Sequence, residues 1–452
     1  MITDSIEFLN GSNVDNVSIV SGATLPVGSI GELFYKTGTD EGLYYYSTSW
    51  TKVGTGEGGG IETGATLPAG TYVGQMFTKT GDNANTYMFN GTEWVVMVIS
   101  VAIESGTLWA WGYNHAGQLG DGTVVPRSSP VQIGTLTDWN QISAVYTHTS
   151  AVKTDGTLWA WGDNTNGELG DGTIVWKSSP NQIGLLNNWK QVSNGFTHVV
   201  AIKTDGTLWT WGDNTYGQLG DYSPIRSSPV QIGTLTDWKQ VSCGDYHSHA
   251  IKTNGTLWAW GSGGNAQIGN GNSDNKTTPI QIGLLSNWKF VSGGNYHVAA
   301  IKTDGTLWTW GLNDFGRLGD GTITTRYSPV QIGTLTDWKQ VSCGTLHTVA
   351  IKTDGTLWAW GYGALGQLGD GTVVPRSSPV QIGTLTDWKQ VSCGDYHSHA
   401  IKTNGTLWAW GYNASGQLGD GTIVNKSSPI QIGSLSVWKQ IFKGHRQSFA
   451  VK

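Results

Sequence analysis

A unit of about 50 residues recurs along most of this 452-residue chain, and no other feature constrains its fold as much. The stretch RSSPVQIGTLTDWKQVSCGDYHSHAIKTNGTLWAWG runs from Arg226 to Gly261, and the same 36 letters return unchanged from Arg376 to Gly411. The letters GTLW mark each copy and begin at Gly106, Gly156, Gly206, Gly255, Gly305, Gly355 and Gly405. Such a period indicates stacked supersecondary units, because one unit cannot bury its apolar faces alone.

Each repeat contains the signals of four short strands. WKQVSCG alternates apolar and polar residues, HSHAIKT follows it, and an Asp-Gly or Asn-Gly pair then leads to TLWAWG. That pair is a strong signal for a two-residue hairpin turn. A long Gly-rich loop precedes the fourth strand, PVQIG. Four strands in such a unit are typical of a propeller blade, so we predict an all-β fold with a seven-bladed β-propeller over residues 101–452.

The ring has to close, because otherwise two sheet edges stay open. The chain ends in WKQIFKGHRQSFAVK, which supplies the first two strands of a blade. The outer two strands of that blade lie at the start of the array, near residues 106–134. We therefore expect the C-terminal strands to complete the first unit, although SVAIESG (100–106) is a competing second strand.

The repeat resembles that of the regulator of chromosome condensation. The resemblance rests on W-x-W-G, on G-Q-L-G-D-G and on a Gly-x-x-His pair before AIKTDGTLW, and it recurs seven times. It implies a propeller fold and, by association with that family, guanine-nucleotide exchange. We disfavour exchange, because the chain shows no basic nuclear tail and begins with modules of another kind.

The first hundred residues repeat on their own scale. GATLPVGSIGELFYKTG begins at Gly22 and GATLPAGTYVGQMFTKTG begins at Gly64, and the modules that these segments open finish on Trp50 and Trp94. The pattern is similar to modules of bacteriophage fibre and other virion proteins. Modules this small cannot bury a core alone, so we expect residues 1–100 to form a homo-oligomer, with a trimer favoured. The predicted order is an N-terminal attachment segment (1–21), a small β-hairpin module (22–53), a Gly-rich linker (54–63) and a second small β-hairpin module (64–100).

Composition argues against several kinds of partner. The net charge is -6 and no basic cluster is visible, which argues against nucleic acid. No run approaches the roughly 18 apolar residues of a membrane span, so we expect no membrane insertion. The first residues are acidic where a secretion signal needs a basic patch, which predicts synthesis and assembly in a host cytoplasm. Cys243, Cys343 and Cys393 share one repeat position that also accepts Ala, Gly and Asn, so we predict a structural slot and no disulfide.

No motif indicates catalysis, a metal or a cofactor. Six repeats place a histidine at one position, and the seventh has Gln447; these are His148, His198, His247, His297, His347 and His397. A metal ion needs converging ligands, whereas the symmetry of a ring spreads equivalent residues apart. We predict a structural hydrogen bond in a turn, and no enzyme.

The GDG loops carry one carboxylate and one cation each. The carboxylates are Asp121, Asp171, Asp320, Asp370 and Asp420, and Asp221 has Tyr after it instead of Gly. A calcium site needs several oxygen ligands, which one carboxylate does not supply. We predict a ring of Asp-to-Arg contacts between blades, with a ring that grips anionic ligand groups as the alternative.

The differences between repeats cluster in particular connections. The segments after W-x-W-G, those after LGDGT and the pair before each histidine change from copy to copy. Antiparallel strands alternate direction, so these connections share one face of the ring, which we call the varied face. The Asp-Gly turns and the GTLTDW crossovers share the other, the constant face, where we expect substitution of Lys203, Lys252 or Lys302 to leave binding intact.

The varied loops carry aromatic residues, which are typical anchors for protein or sugar partners. Aromatic residues in loops can equally pack onto their own loop. The candidate binding residues are Tyr113, Trp176, Tyr216, Tyr222, Phe315, Tyr327, Tyr362 and Tyr412.

Fibre-like modules joined to a ring with one varied face predict a structural protein of a bacteriophage virion. The favoured role is a tail-fibre or receptor-binding protein whose propeller contacts a host surface receptor, either protein or glycan. Residues 1–100 would then contact other virion proteins. The alternatives are a capsid decoration or head-fibre protein, and a cellular propeller that scaffolds or inhibits another protein.

Overall fold

The computed structural model describes residues 106–452 with their side chains, and between residues 3 and 100 it describes the backbone of nine strands. The chain divides into two compact units, Met1–Ile103 and Glu104–Lys452. No helix in the described part of the chain has the length and apolar character needed to span a bilayer.

The N-terminal strands form one mixed sheet in the order β5-β4-β3-β2-β1-β9-β8-β7-β6. They are β1 (Thr3–Asn10), β2 (Asn13–Gly22), β3 (Leu33–Lys36), β4 (Gly42–Tyr46), β5 (Trp50–Lys52), β6 (Ile61–Gly64), β7 (Met76–Lys79), β8 (Thr86–Phe89) and β9 (Trp94–Ser100). The pairs β2–β3 and β6–β7 are parallel. Strands β2 to β5 and strands β6 to β9 are therefore two sets of four in which each strand pairs with the next one along the chain. The predicted attachment segment, hairpin modules and linker fall largely outside the described residues and stay a prediction.

Residues 106–452 form seven four-stranded antiparallel sheets, the blades of a propeller, which confirms the predicted fold. The first strand of each blade is innermost and the fourth is outermost. Blades 1 to 3 are β12 (Trp139–Ala144), β13 (His148–Lys153), β14 (Leu158–Gly162) and β15 (Lys177–Gln182); β16 (Trp189–Asn194), β17 (His198–Lys203), β18 (Leu208–Gly212) and β19 (Arg226–Gln231); and β20 (Trp238–Cys243), β21 (His247–Lys252), β22 (Leu257–Gly261) and β23 (Lys276–Gln281).

Blades 4 to 6 continue the series, with one 3-10 turn at Asp314–Gly316. Their strands are β24 (Trp288–Gly293), β25 (His297–Lys302), β26 (Leu307–Gly311) and β27 (Arg326–Gln331); β28 (Trp338–Cys343), β29 (His347–Lys352), β30 (Leu357–Gly361) and β31 (Arg376–Gln381); and β32 (Trp388–Cys393), β33 (His397–Lys402), β34 (Leu407–Gly411) and β35 (Lys426–Gln431). The two identical 36-residue copies therefore run from the outer strand of one blade to the third strand of the next, into blades 3 and 6.

The remaining blade joins the two ends of the array, and we call it the closing blade. Its strands, from the inside out, are β36 (Gln440–Phe442), β37 (Gln447–Val451), β10 (Leu108–Gly112) and β11 (Arg127–Gln132). Leu108 pairs with Val451 and Gly112 with Gln447 in the antiparallel register. The predicted closure is confirmed, and the competing residues 101–105 lie outside the described part of the chain.

Each interface between blades holds an apolar cluster and a buried tryptophan. Between blades 2 and 3, Ile202 and Leu208 pack with Trp238, Val241 and Trp260. The indole of Trp260 is fully buried, and its Nε1 donates a hydrogen bond of 2.9 Å to the carbonyl of Gln218 in the preceding blade. Aromatic burial thus provides both packing area and one directed bond across the interface.

On the constant face, the lysine at the end of each second strand is buried between two tryptophans. The Nζ of Lys252 lies 4.7 Å from the ring centre of Trp238 and 4.4 Å from that of Trp258, and 3.3 Å from Oδ1 of Asp237. Such cation–π contacts strengthen when the cation is desolvated. Lys203 and Lys302 lack the aspartate, and burial lowers the pKa of both.

These lysines support the interfaces between strands. Substituting Lys203, Lys252 or Lys302 would disturb a buried cluster, since each side chain is 5 or 6% exposed. That these substitutions leave binding intact stays a prediction, and the structure adds a cost in stability, because the side chains are buried.

In four copies the histidine bonds to the next blade, which corrects the predicted hydrogen bond in a turn, while the rings of His148 and His247 are buried without a hydrogen-bond partner. The Nε2 of His198 lies 2.9 Å from Oγ of Ser248 in the next blade, and that of His347 lies 2.9 Å from Oγ of Ser398. In the closing blade, Gln447 donates from Nε2 to the carbonyl of Val145. A glutamine replaces the histidine because both side chains reach across to the neighbouring blade.

The predicted Asp-to-Arg contacts between blades are also wrong, because each pair lies within one loop. Arg127 reaches Oδ2 of Asp121 at 2.7 Å, and Arg326 reaches that of Asp320 at 2.6 Å. The loop contacts the next blade through its backbone, where Gly122 N donates to the carbonyl of Ser178 at 2.9 Å. The acidic residue shapes its own loop, and the following glycine joins that loop to the neighbouring blade.

Candidate binding face

The structure places the varied connections on one face, as their alternation predicts. Tyr113, from a loop between third and fourth strands, stacks on Tyr146, from a connection between first and second strands, at 5.5 Å. On the constant face the crossover meets the turn, where Trp189 N donates to the carbonyl of Gly156. Gly106, the first described residue of the propeller, forms a bridge with Trp139 on the constant face.

The innermost strands surround a central channel of about 200 Å³. Glutamine side chains link neighbouring strands in its wall: Gln191 donates to the carbonyl of Val241 at 3.2 Å and accepts from Val241 N at 3.0 Å. The cysteine position lies at the buried end of each innermost strand. Burial raises the pKa of Cys243 to about 12. These thiols are structural, as predicted.

The closing blade departs from this pattern, because it places the side chains of Lys443 and His445 in the channel. Lys443 occupies the cysteine position, and its Nζ donates across the ring to the carbonyl of Gly293 at 2.7 Å. His445 lies at the varied end of the channel, which we call the mouth. Its Nδ1 is 2.7 Å from Oδ1 of Asp395, and its Nε2 is 3.7 Å from Oδ1 of Asp245 on the far side.

The pKa values of the two aspartates at the mouth, Asp245 and Asp395, shift in opposite directions. Burial raises the pKa of Asp245. Burial also acts on Asp395, but the charge and hydrogen bond of His445, with a hydrogen bond from Thr345, hold the pKa of Asp395 below its usual value. Burial acts to lower the pKa of His445, and Asp395 followed by Asp245 outweighs it and raises that pKa. Within residues 106–452, no three His, Cys, Asp or Glu side chains converge as metal ligands would.

An arc of aromatic rings follows the mouth from the closing blade to blade 3. It continues from Tyr146 to Phe196 at 6.2 Å, from Phe196 to Tyr246 at 5.7 Å, and from Tyr246 to Tyr216 at 5.3 Å. The polar residues His445 and Arg446 of the closing blade interrupt any continuation of the arc toward blade 6. The mouth is consequently asymmetric, although the ring that carries it is nearly symmetric.

The structure distributes the predicted binding residues in three groups. Tyr113 and Tyr216 belong to the arc. Phe315 pairs with Tyr362 at 4.8 Å, and Tyr412 contacts Tyr396 at 6.4 Å. The remaining three have no place in these pairs and are exposed at 53, 85 and 48%; they are Trp176, Tyr222 and Tyr327. Binding by any of the eight stays a prediction.

Sequence reasoning missed the residues that shape the mouth. They occupy the two positions before the histidine and include Tyr146, Phe196, Asp245, Tyr246, Tyr296, Asp395, Tyr396, His445 and Arg446. One available signal was that this pair changes from copy to copy. Another was the lysine at position 443, in a slot that otherwise takes small residues.

Comparison with known families agrees with this geometry. The model described as RCC1-like domain matches residues 96–389, and two models of the regulator of chromosome condensation (RCC1) repeat match residues 404–451 and 388–417. Since the first match spans more than half of the chain, the chain belongs to the RCC1-like domain family. No curated protein sequence matches the chain at a significant level.

Solved structures share the fold. Human WBSCR16 has 23% identity and a TM-score of 0.70, and the match covers 76% of this chain and 98% of that one. Prp20p from Saccharomyces cerevisiae, studied with its binding to Gsp1p and histones, has 21% identity and a TM-score of 0.68, over 77% and 92% of the two chains. Yeast RCC1 (Prp20) bound to Kap60 has 20% identity and a TM-score of 0.70, over 77% and 90%. At these identities the likeness shows the fold alone.

Proposed function

We propose that this chain is a non-catalytic binding protein whose varied face docks on a protein partner, as a scaffold or an inhibitor does. The observation that supports this is the segregation of the two faces. Sequence differences between blades gather on the varied face, while the constant face holds the turns and the buried lysine clusters. A rigid scaffold that presents variable loops is a common arrangement for recognition.

Two further observations favour a protein partner. The arc and the Phe315–Tyr362 pair give the varied face partly exposed aromatic rings, which are enriched where interfaces are strongest. Among similar structures, one is described by binding to Gsp1p and histones and another by a complex with Kap60.

Site-specific photocrosslinking tests the proposal. A benzophenone amino acid is placed at Tyr216 or Phe315 on the varied face, and at the half-exposed Leu235 or Leu335 of the crossovers as matched controls. We expect a defined crosslinked partner from the varied-face positions only. Crosslinking from the crossover positions alone would overturn the proposal.

A second candidate is the virion role, with the propeller as a tail-fibre, receptor-binding, decoration or head-fibre protein. The observation that favours it is the repeated GATLP pattern in residues 22–38 and 64–81, which is similar to modules of virion proteins. Immunogold labelling of intact particles with an antibody to the propeller tests it. Label at the tail or the head is expected, and particles without label would contradict it.

A further inference from the structure

Tyr246 lies at the centre of a compact group of aromatic and acidic side chains on the varied face. Its ring centre is 5.7 Å from that of Phe196 and 5.3 Å from that of Tyr216. Burial raises the pKa of Tyr246, and the neighbouring Asp245, Tyr296, Tyr216 and Asp213 raise it further. The group, which we call the Tyr246 patch, consists of Phe196, Asp213, Tyr216, Asp245, Tyr246 and Tyr296.

Neither carboxylate of the patch has an ion pair shorter than 3.7 Å in the described propeller, and the charges that act on Asp245 are those of His445 and Lys443. Asp213 accepts hydrogen bonds from the neutral donors Thr215 Oγ1 at 2.7 Å and Gln218 Nε2 at 2.8 Å. The one ion pair of Asp245 in the described propeller is the 3.7 Å contact with His445, which bonds at 2.7 Å to Asp395 instead. Both aspartates are at least nine-tenths buried. Buried carboxylates are normally paired, so these two favour an incoming cation.

The other groups of the patch suit the same ligand. Aromatic faces attract ammonium and guanidinium groups, and the attraction grows where water is excluded. Beside Tyr296, the Oδ1 of Asn295 is buried without a hydrogen-bond partner, and it is an acceptor for an N–H donor. Carboxylates, ring faces and a spare acceptor together define a seat for a cationic side chain.

The protein contains an occupied version of this seat. Asp395 and Tyr396 are the same residues in the second identical copy, and there the closing blade supplies the cations. His445 bonds to Asp395, Arg446 Nε lies 3.8 Å from Oδ2 of Asp395, and the charges of Arg446 and Arg317 act on Tyr396. In blade 3, Asp245 has the longer 3.7 Å contact with His445 and the charge of Lys443, and the charged or phenolic groups that act on Tyr246 are aspartates and tyrosines.

We propose that the Tyr246 patch binds a lysine or arginine side chain of a protein partner. The inference rests on the proposed function of the varied face and names the chemistry that the partner presents there. The partner's cation would take, at Asp245 and Tyr246, the place that His445 and Arg446 take at Asp395 and Tyr396.

Fluorescence anisotropy with labelled peptides tests the inference on the full chain. The probes are a short peptide with several lysines spaced by Gly and Ser, its arginine counterpart, and the same lysine peptide with every lysine acetylated. We expect the first two to bind and the acetylated peptide to bind at least about tenfold more weakly, because it has lost the charge. Equal binding of the acetylated peptide, or no binding of the charged ones, would overturn the proposal.

Matched variants locate the site. Tyr246→Ala and Asp245→Asn should each weaken binding of the lysine peptide about tenfold, and Tyr246→Phe should retain most of it because the ring remains. Tyr396→Ala, the identical position in blade 6, should change the affinity less than twofold. An equal loss in Tyr396→Ala would refute the assignment to blade 3, and melting temperatures of all variants verify that they fold.

The two proposals fail separately. If the crosslinker at Phe315 captures a partner but the charged peptides do not bind, the Tyr246 patch is wrong and the varied face remains a docking surface. If neither Tyr216 nor Phe315 crosslinks to a partner, the proposed function and the Tyr246 patch both fail.

Discussion

Blades 3 and 6 contain the two identical copies, and their local structures match closely. Trp238–Cys243 and Trp388–Cys393 form their innermost strands. Ser248 and Ser398 donate to the carbonyls of Gln218 and Gln367 at 3.1 and 3.0 Å. Identical letters in identical repeat contexts thus give the same hydrogen bonds.

The copies differ where they meet neighbours with other sequences. His397 lies 3.1 Å from Ser448 Oγ, whereas the ring nitrogens of His247 have no hydrogen-bond partner, since the next blade presents Val298 at that position. The pKa of Asp395 is lowered and that of Asp245 is raised, because His445 bonds to the first and lies 3.7 Å from the second. A repeat sequence thus determines a blade, while the adjacent blade determines the chemistry at its edge.

Removing the closing strand should have the largest effect on this comparison. Deletion of Ser448–Lys452 removes the bond to His397 in blade 6 and the buried Phe449, while blade 3 keeps all its neighbours. We expect stability to fall by several kcal/mol, as for a large core truncation. Chemical denaturation measures the loss, and an unchanged midpoint would contradict the closure of the ring by these strands.

The paired aspartates should respond unequally to the same substitution. Asp395→Asn breaks a buried ion pair and leaves His445 uncompensated, so we expect a loss of about 3 kcal/mol at pH 7. Burial raises the pKa of Asp245 and so disfavours its charged form, and its contact with His445 is long, so Asp245→Asn should cost less than Asp395→Asn does. Urea denaturation of both variants gives the comparison, and equal losses would show that the neighbouring histidine does not distinguish the copies.

Acid should destabilise the ring through its buried histidines. Burial lowers the pKa of His397 to about 4, below the ordinary value of 6.5, so the unfolded chain binds the proton more readily. The stability from neutral His397 is present above about pH 6.5 and is lost as the pH falls toward 4. His397→Gln should remove about 2 kcal/mol of the decrease between pH 7 and 5, measured by urea denaturation at both values. An unaltered pH dependence in this variant would mean that His397 does not titrate in that range.

The smallest predicted effect comes from making the two histidine environments alike. Ser448→Val gives His397 the valine neighbour that His247 already has. Loss of the two buried hydrogen bonds of Ser448 Oγ, to His397 and to the carbonyl of Gln417, should cost about 1 to 2 kcal/mol. Thermal unfolding measures it, with Ser427→Val on an outer strand as a control that leaves both histidines untouched. A gain in stability would indicate that packing outweighs the hydrogen bonds.

Much of the propeller follows from its sequence because its signals are local and repeated. The Asp-Gly and Asn-Gly pairs predict the hairpins, the alternation of apolar residues predicts the strands, and the truncated last repeat predicts that Gln447–Val451 pairs with Leu108–Gly112. The division into a varied and a constant face follows from counting strands. Each of these properties depends on residues that are neighbours in the chain or in an equivalent repeat.

Only the tertiary structure decided what the side chains at the interfaces and the mouth contact. Four of the six histidines bond to the next blade, the loop aspartates bond within their own loop, and the lysines beside the turns lie between tryptophans. His445 comes between Asp395 and Asp245 because ring closure brings the last blade next to blade 6 and across from blade 3. These contacts join residues from different copies, and closure of the ring determines which copies meet. The sequence of this protein therefore determined the blade and the number of blades. The closed ring decided why the pKa is raised at Asp245 and lowered at Asp395 in two identical segments.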